Sequence, residues 1–220
     1  MGCRLVLVAA AVFAAAGGLR ADSGDLKPLL KNVEKRYNSA RTIRVLFEQT
    51  YTPPGKAPRT EKGELFLRKP GRMRWEYTTP AGKLFQSDGK FVYFYSPSTN
   101  RVEKTRLKES EDMRAPLAFL LGKLDFDRDF THYQSRADSS GTVIKAIPRN
   151  ERLPYTSVDF TVAPDSEITR LLVIGQDNAV VEFHFSQEKI NPPMSDKLFQ
   201  FKLPAGAQLV ESEDVGETAN

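Results

Sequence analysis

The chain has 220 residues, a formal net charge of +4, 40% hydrophobic and 27% charged residues, and 10% aromatics. This balance suits one globular domain with a packed core, and 14 Gly with 14 Pro are too few for a disordered low-complexity or collagen-like chain. A single cysteine, Cys3, excludes a disulfide framework and a thiolate metal site, and two histidines, His132 and His184, supply metal centres and catalytic triads poorly.

Residues 1–21 have the grammar of a secretory signal peptide: Arg4 as the positive start, Leu5 to Ala16 as the apolar stretch, then small residues. The run is too short and too alanine-rich for a membrane span of about 20 apolar residues. Cleavage fits after Gly18 or after Ala21. Cys3 precedes the apolar stretch instead of following it, so it is lost with the peptide and no lipid-attachment cysteine remains. Removing residues 1–21, which hold Arg4, Arg20 and no acid, lowers the charge from +4 to +2. A soluble, exported, cysteine-free domain over 22–220 is expected.

Leu26, Leu29, Leu30, Val33 and Tyr37 recur at helical spacing, with Ser23 or Asp25 as N-cap candidates and Pro28 early enough to be tolerated. The period then becomes two. Ile43, Val45 and Phe47 alternate with Arg44, Leu46 and Glu48 up to the turn at Pro53-Pro54-Gly55. Leu65 and Leu67 share one face, as do Met73, Trp75 and Tyr77 opposite Arg72, Arg74 and Glu76. The Asp88-Gly89 step predicts a hairpin between Leu84–Gln86 and Phe91–Tyr95. Alternation lapses after Arg106, and Pro116 to Gly122 reads as a short helix with Leu117, Leu120 and Leu121, an insertion between strands. Strands are then expected at 142–147, 155–162, 168–174, 179–186 and 198–203, before an acidic tail from Glu211. The class is mainly β with α, an antiparallel barrel or strongly curved sheet.

Searches for chemistry fail. Asp125, Asp127 and Asp129 invite a calcium loop, but glycine is needed where Phe130 stands and glutamate where Arg136 stands. They read instead as the outer face of a strand start. His184 is expected to pair with Glu182 on a solvent face, with Phe183 and Phe185 buried. No nucleophile elbow, phosphate loop or HExxH motif occurs, and Glu109 with Glu111 lacks an aromatic pocket for glycosidase work. The cluster Arg68, Lys69, Arg72 and Arg74 suggests nucleic acid, yet export and the nearly balanced charge argue against it. No enzyme, metal or cofactor is expected. The 14 Phe, 7 Tyr and Trp75, gathered in sheet segments, either close a core or line a greasy cavity.

Nearly the whole mature chain resembles the periplasmic outer-membrane lipoprotein carriers of the LolA family. The likeness runs through Phe47-Glu-Gln49, Gly63-Glu-Leu-Phe-Leu-Arg-Lys-Pro70, Arg74-Trp-Glu-Tyr77, Ser87-Asp-Gly-Lys90, Tyr95-Ser-Pro97, the Pro116-Leu segment, and Phe199-Gln-Phe201 with Pro204-Ala-Gly206. The resemblance implies an incomplete, unclosed antiparallel β-barrel with a helical lid over a hydrophobic cavity. It implies a monomeric carrier that takes acylated lipoproteins from an ATP-driven inner-membrane LolCDE-like complex to an outer-membrane LolB-like acceptor. Cavity positions carry over to Leu65, Leu67, Met73, Trp75 and Tyr77, with Phe47, Leu117, Leu120 and Leu121 as additions. Lys69 stands where the family has an arginine that hydrogen-bonds the closed lid, a point charge in place of a planar fork. Two rival readings share the fold: a carrier of another lipid, glycolipid or apolar pigment, and a periplasmic sensor of lipid or misfolded protein.

Overall fold

The computed structural model describes residues 26–107 and 124–211. The signal segment, the predicted caps Ser23 and Asp25, the leucines 117, 120 and 121, and the acidic tail after Glu211 lie outside the described residues.

Helix α1 (Lys27–Ser39) has Leu26 at its cap position with no side-chain cap, and Pro28 sits in its first turn, where its missing N–H removes no helical bond. Its apolar face buries Leu30, Val33 and Tyr37. The strands follow as β1 (Thr42–Thr52), β2 (Arg59–Arg68), β3 (Arg72–Thr79), β4 (Ala81–Asp88), β5 (Phe91–Ser96) and β6 (Arg101–Arg106). After helix α2 (Phe126–Asp129) come β7 (Phe130–Asp138), β8 (Gly141–Pro148), β9 (Tyr155–Val162), β10 (Ile168–Gly175), β11 (Val180–Ile190) and β12 (Gln208–Glu211).

All twelve belong to one sheet in the order β12-β6-β5-β4-β3-β2-β1-β11-β10-β9-β8-β7. Strands consecutive in the chain pair antiparallel, except that β6 does not pair with β7 nor β11 with β12. β1 meets β11 antiparallel in the middle, and β12 lies parallel to β6 at one edge. The sheet is thus two meanders, β1–β6 and β7–β11, joined along the β1–β11 seam. Its end strands β7 and β12 are not paired with each other, so the barrel is unclosed. Period-two alternation gives each strand one core-facing side, and these sides form with α1 a single apolar cluster that reaches from Leu65 and Trp75 to Phe160 and Phe183.

Two expectations need correction. Residues 198–203 form no strand: a 3-10 turn at Asp196–Phe199 opens an irregular strap across the outer face of β3 and β4. The strap mimics strand alternation because one of its sides also faces protein, with Phe199 buried and Phe201 stacked on Tyr93 at 4.2 Å. The three aspartates do not start a strand either. Asp125 caps α2, its carboxylate accepting from the Arg128 N–H at 3.0 Å, and Asp127 and Asp129 lie within that helix. Of the pair expected on the buried side, Phe183 is wholly buried and Phe185 only partly so, while the His184 ring meets Glu182 at 2.9 Å on the outer face.

Candidate acyl-binding face

Register builds a compact apolar grid on the inner side of the first meander. Strand pairing sets Val45 beside Leu65 and Leu65 beside Trp75, Ile43 beside Leu67 and Leu67 beside Met73, and Phe47 beside Gly63 and Gly63 beside Tyr77. Phe47, Leu65, Leu67, Met73, Trp75 and Tyr77 are all buried, Trp75 completely. Phe47 stands edge-on to Trp75 at 4.8 Å and to Tyr77 at 5.1 Å, the orientation that opposed ring quadrupoles favour. Gly63 makes this packing possible, since a Cβ there would lie 2.8 Å from the Phe47 ring and 2.1 Å from the Glu76 carbonyl oxygen.

The structure adds residues that sequence reasoning left out. Phe183 on β11 packs 5.6 Å from Trp75 across the seam, and Phe85 pairs with Trp75 from β4. The Val181/Phe183 alternation marked an inward face, but nothing local says that β11 lies next to β1.

Few polar groups interrupt the grid. The Tyr77 hydroxyl donates to Gln49 at 3.3 Å, and the Ser87 hydroxyl donates to the Gly71 carbonyl at 2.9 Å. The Trp75 indole Nε1 is buried with no hydrogen-bond acceptor among the described residues. At the rim, Lys83 lies 4.4 Å from the Tyr77 ring centroid while both Glu61 oxygens accept from its amine.

Helix α1 joins the same apolar cluster through Leu30, Val33 and Tyr37 and is bolted on from several sides. From the β2–β3 turn, the Lys69 amine donates to the Tyr37 carbonyl at 2.6 Å. That carbonyl belongs to the last turn, where the helix dipole is negative. Burial pushes the Lys69 amine below its ordinary pKa, so the carbonyl offsets a charge held partly away from water. From the second meander, Glu188 accepts from the Arg36 guanidinium at 2.8 and 3.0 Å and from the Tyr37 hydroxyl at 2.9 Å. The Ile168 N–H in turn donates to that hydroxyl at 2.9 Å. Ahead of α2, the Asn38 amide exchanges two hydrogen bonds with the Leu124 backbone, each 2.8 Å, and the Phe126 N–H donates to Glu34. Arg68 points the other way, as the alternation requires, and shares Asp196 of the strap with Arg72, both at 2.8 Å.

Among the described residues, no group of three or more His, Cys, Asp or Glu side chains could hold a metal ion. The outer face carries a groove of about 480 Å³ between strap and sheet, lined by Arg72, Asp88, Tyr93, Asp196 and Phe201 among others. Its charged groups answer one another: Asp196 holds Arg72, and Asp88 accepts from the Tyr93 hydroxyl at 3.2 Å. Burial beside Asp88 pushes that phenol up to about 12.

Comparison with known proteins places the chain in a family. The model of the outer membrane lipoprotein carrier protein LolA matches residues 38–202. The chain belongs to the LolA family. It is 26% identical over 182 residues to the outer-membrane lipoprotein carrier protein of Nitrosomonas europaea, covering 82% of this chain and 88% of that one. The protein of the same name from Proteus mirabilis is 27% identical over 178 residues, covering 80% and 85%. Among solved structures, an uncharacterized conserved protein from Thermus thermophilus superposes with a TM-score of 0.52 at 13% identity, covering 84% of this chain and 98% of that one. At that identity the likeness speaks for the fold alone. The motifs Phe47-Glu-Gln49, Gly63 to Pro70 and Arg74 to Tyr77 lie within the matched span and carry the grid.

Proposed function

We propose that this chain ferries acylated lipoproteins across the periplasm, with their acyl chains held against the face formed by Phe47, Leu65, Leu67, Met73, Trp75 and Tyr77. The observation that carries the reading is that grid: a continuous inward apolar surface in a LolA-family sheet whose edges stay unjoined. An ATP-driven inner-membrane complex loads the carrier and an outer-membrane acceptor unloads it. Each buried methylene contributes about 0.8 kcal/mol, so one acyl chain of roughly 14 methylenes leaves a bilayer at a cost of about 11 kcal/mol. Free diffusion through water is negligible against that figure, whereas transfer from bilayer to carrier to bilayer keeps the chain dry. The protein needs no reacting group for this task.

Cargo can reach the grid only when the packing against it opens, and Lys69 is the switch. Its amine ties the last turn of α1 to the β2–β3 turn, so releasing that bond loosens the helix on this side while Glu188 and Leu124 still hold it from the other. Lys69→Leu is expected to load normally and to accumulate with lipoprotein bound, because the closed, empty state that drives unloading loses its latch. Transfer to acceptor membranes should slow several-fold, and Lys69→Arg should restore it. A Lys69→Leu protein that unloads at the wild-type rate removes the residue from the switch.

Native mass spectrometry of the protein purified from its own periplasm tests the cargo. An adduct with the mass of a triacylated lipoprotein is expected. A glycolipid or pigment adduct would replace lipoprotein with another lipid as cargo, and an empty protein from cells rich in lipoprotein would overturn the carrier reading.

A further inference from the structure

We propose that the Trp75 indole N–H donates a hydrogen bond to the carbonyl of a bound acyl linkage, so that the inner face recognises an ester or amide and not hydrocarbon alone. The inference rests on the carrier reading above and names the chemistry which that site selects. Trp75 lies in the middle of β3, wholly buried, its ring 4.8 Å from that of Phe47 and 5.6 Å from that of Phe183. Its Nε1 finds no acceptor among the described residues. Every other polar group named on this face is answered within the protein: Tyr77 by Gln49, Ser87 by the Gly71 carbonyl.

The unmet donor defines its ligand. An indole N–H can only donate, so it requires an acceptor, and a hydrocarbon chain has none. The empty protein has already stripped water from the donor, so an acceptor brought by cargo returns the hydrogen bond without a further dehydration of the indole. The acceptor should be neutral. An ionised carboxylate would enter an apolar grid whose nearby cations are engaged elsewhere, Lys69 by the Tyr37 carbonyl and Lys83 by Glu61, and burying an unpaired charge is prohibitive. An ester or amide carbonyl, which joins each acyl chain of a lipoprotein to its head, meets both conditions. Sites built around a buried polar partner discriminate strongly against analogues that lack it, and here that disfavours plain hydrocarbon.

The test compares methyl hexadecanoate with hexadecane, each displacing a fluorescent apolar dye from the mature protein. Trp75→Phe keeps an aromatic ring and removes the donor. It should cut the preference for the ester over hexadecane about fivefold, the effect of one net hydrogen bond, whatever the smaller ring does to both ligands alike. An equal effect on both ligands, or none on either, overturns the hydrogen bond. Failure of the wild-type protein to bind either ligand overturns the carrier reading instead. The second measurement needs no substitution. Trp75 is the only tryptophan, so a nitrogen-15-labelled sample gives one indole N–H resonance. The ester should move it downfield relative to hexadecane, and identical shifts with the two ligands would also sink the proposal.

Discussion

Gly63→Ala should lower the thermal midpoint by roughly 6–12 °C, the effect of about 3 kcal/mol in a domain of this size. One added methyl group has this effect because of what it meets. The Cβ would lie 2.1 Å from the Glu76 carbonyl oxygen, a backbone atom of the paired strand that cannot rotate away, and 2.8 Å from the Phe47 ring. Either β2 and β3 separate, which breaks ladder hydrogen bonds beside the Gly63–Tyr77 pair, or Phe47 leaves its place between Trp75 and Tyr77. Gly55→Ala makes the control: a Cβ there has no neighbour within 4 Å, so only its left-handed φ of +66° resists the change. Differential scanning calorimetry of the two variants side by side checks the claim. A Gly63→Ala midpoint no lower than that of Gly55→Ala would mean that the close approach is unimportant. Retained apolar-dye binding in the folded fraction would separate strand displacement from loss of the Phe47 ring.

Glu188→Ala is expected to be of similar size, roughly 3 kcal/mol, for an electrostatic reason. The Glu188 side chain is 5% exposed and that of Arg36 24% exposed, so the pair interacts in a medium much less polar than water. Removing the carboxylate leaves Arg36 with its longer contacts to Asp165 at 3.6 Å and Glu167 at 3.5 Å, and strips the Tyr37 hydroxyl of its acceptor. Surface ion pairs are worth far less, so Lys31→Ala, which removes an exposed amine from Glu34 and Asp127, should shift the midpoint by no more than about 2 °C. Glu188→Gln keeps an acceptor for Tyr37 without the charge and should fall between wild type and Glu188→Ala. Thermal denaturation at low and high salt checks this. Losses that are equal for Glu188→Ala and Lys31→Ala would show that the clamp on α1 carries no special weight.

The inner face was readable from sequence because it is made by period-two alternation, and the same residues that alternate in the text, Met73, Trp75 and Tyr77, lie buried together in space. Its neighbours were less accessible. That Phe183 touches Trp75 depends on β11 pairing with β1, a contact between segments more than a hundred residues apart on which local pattern is silent. The strap misled for the opposite reason, since Phe199 and Phe201 alternate as a strand does while gripping the outside of a sheet already formed. The aspartates around Phe126 misled because a four-residue helix is too short to declare a period. The unpartnered nitrogen of Trp75 leaves no trace in sequence at all, because hydrogen-bond satisfaction belongs to the packed state.

The seam between β1 and β11 also fixes an order of events when the chain is made. The first meander grows from successive short hairpins and can assemble as it emerges, but the strand that flanks β1 on its other side arrives only near the end of the chain. Joining them closes a loop of more than a hundred residues, an entropic toll that local hairpins never meet. Until then Phe47, Leu65 and Trp75 lack Phe183 and the clamp from Glu188, so the newborn protein displays its stickiest surface to its surroundings before it can hide it. A carrier of greasy cargo thus begins life as a greasy client, dependent on whatever holds unfinished chains apart.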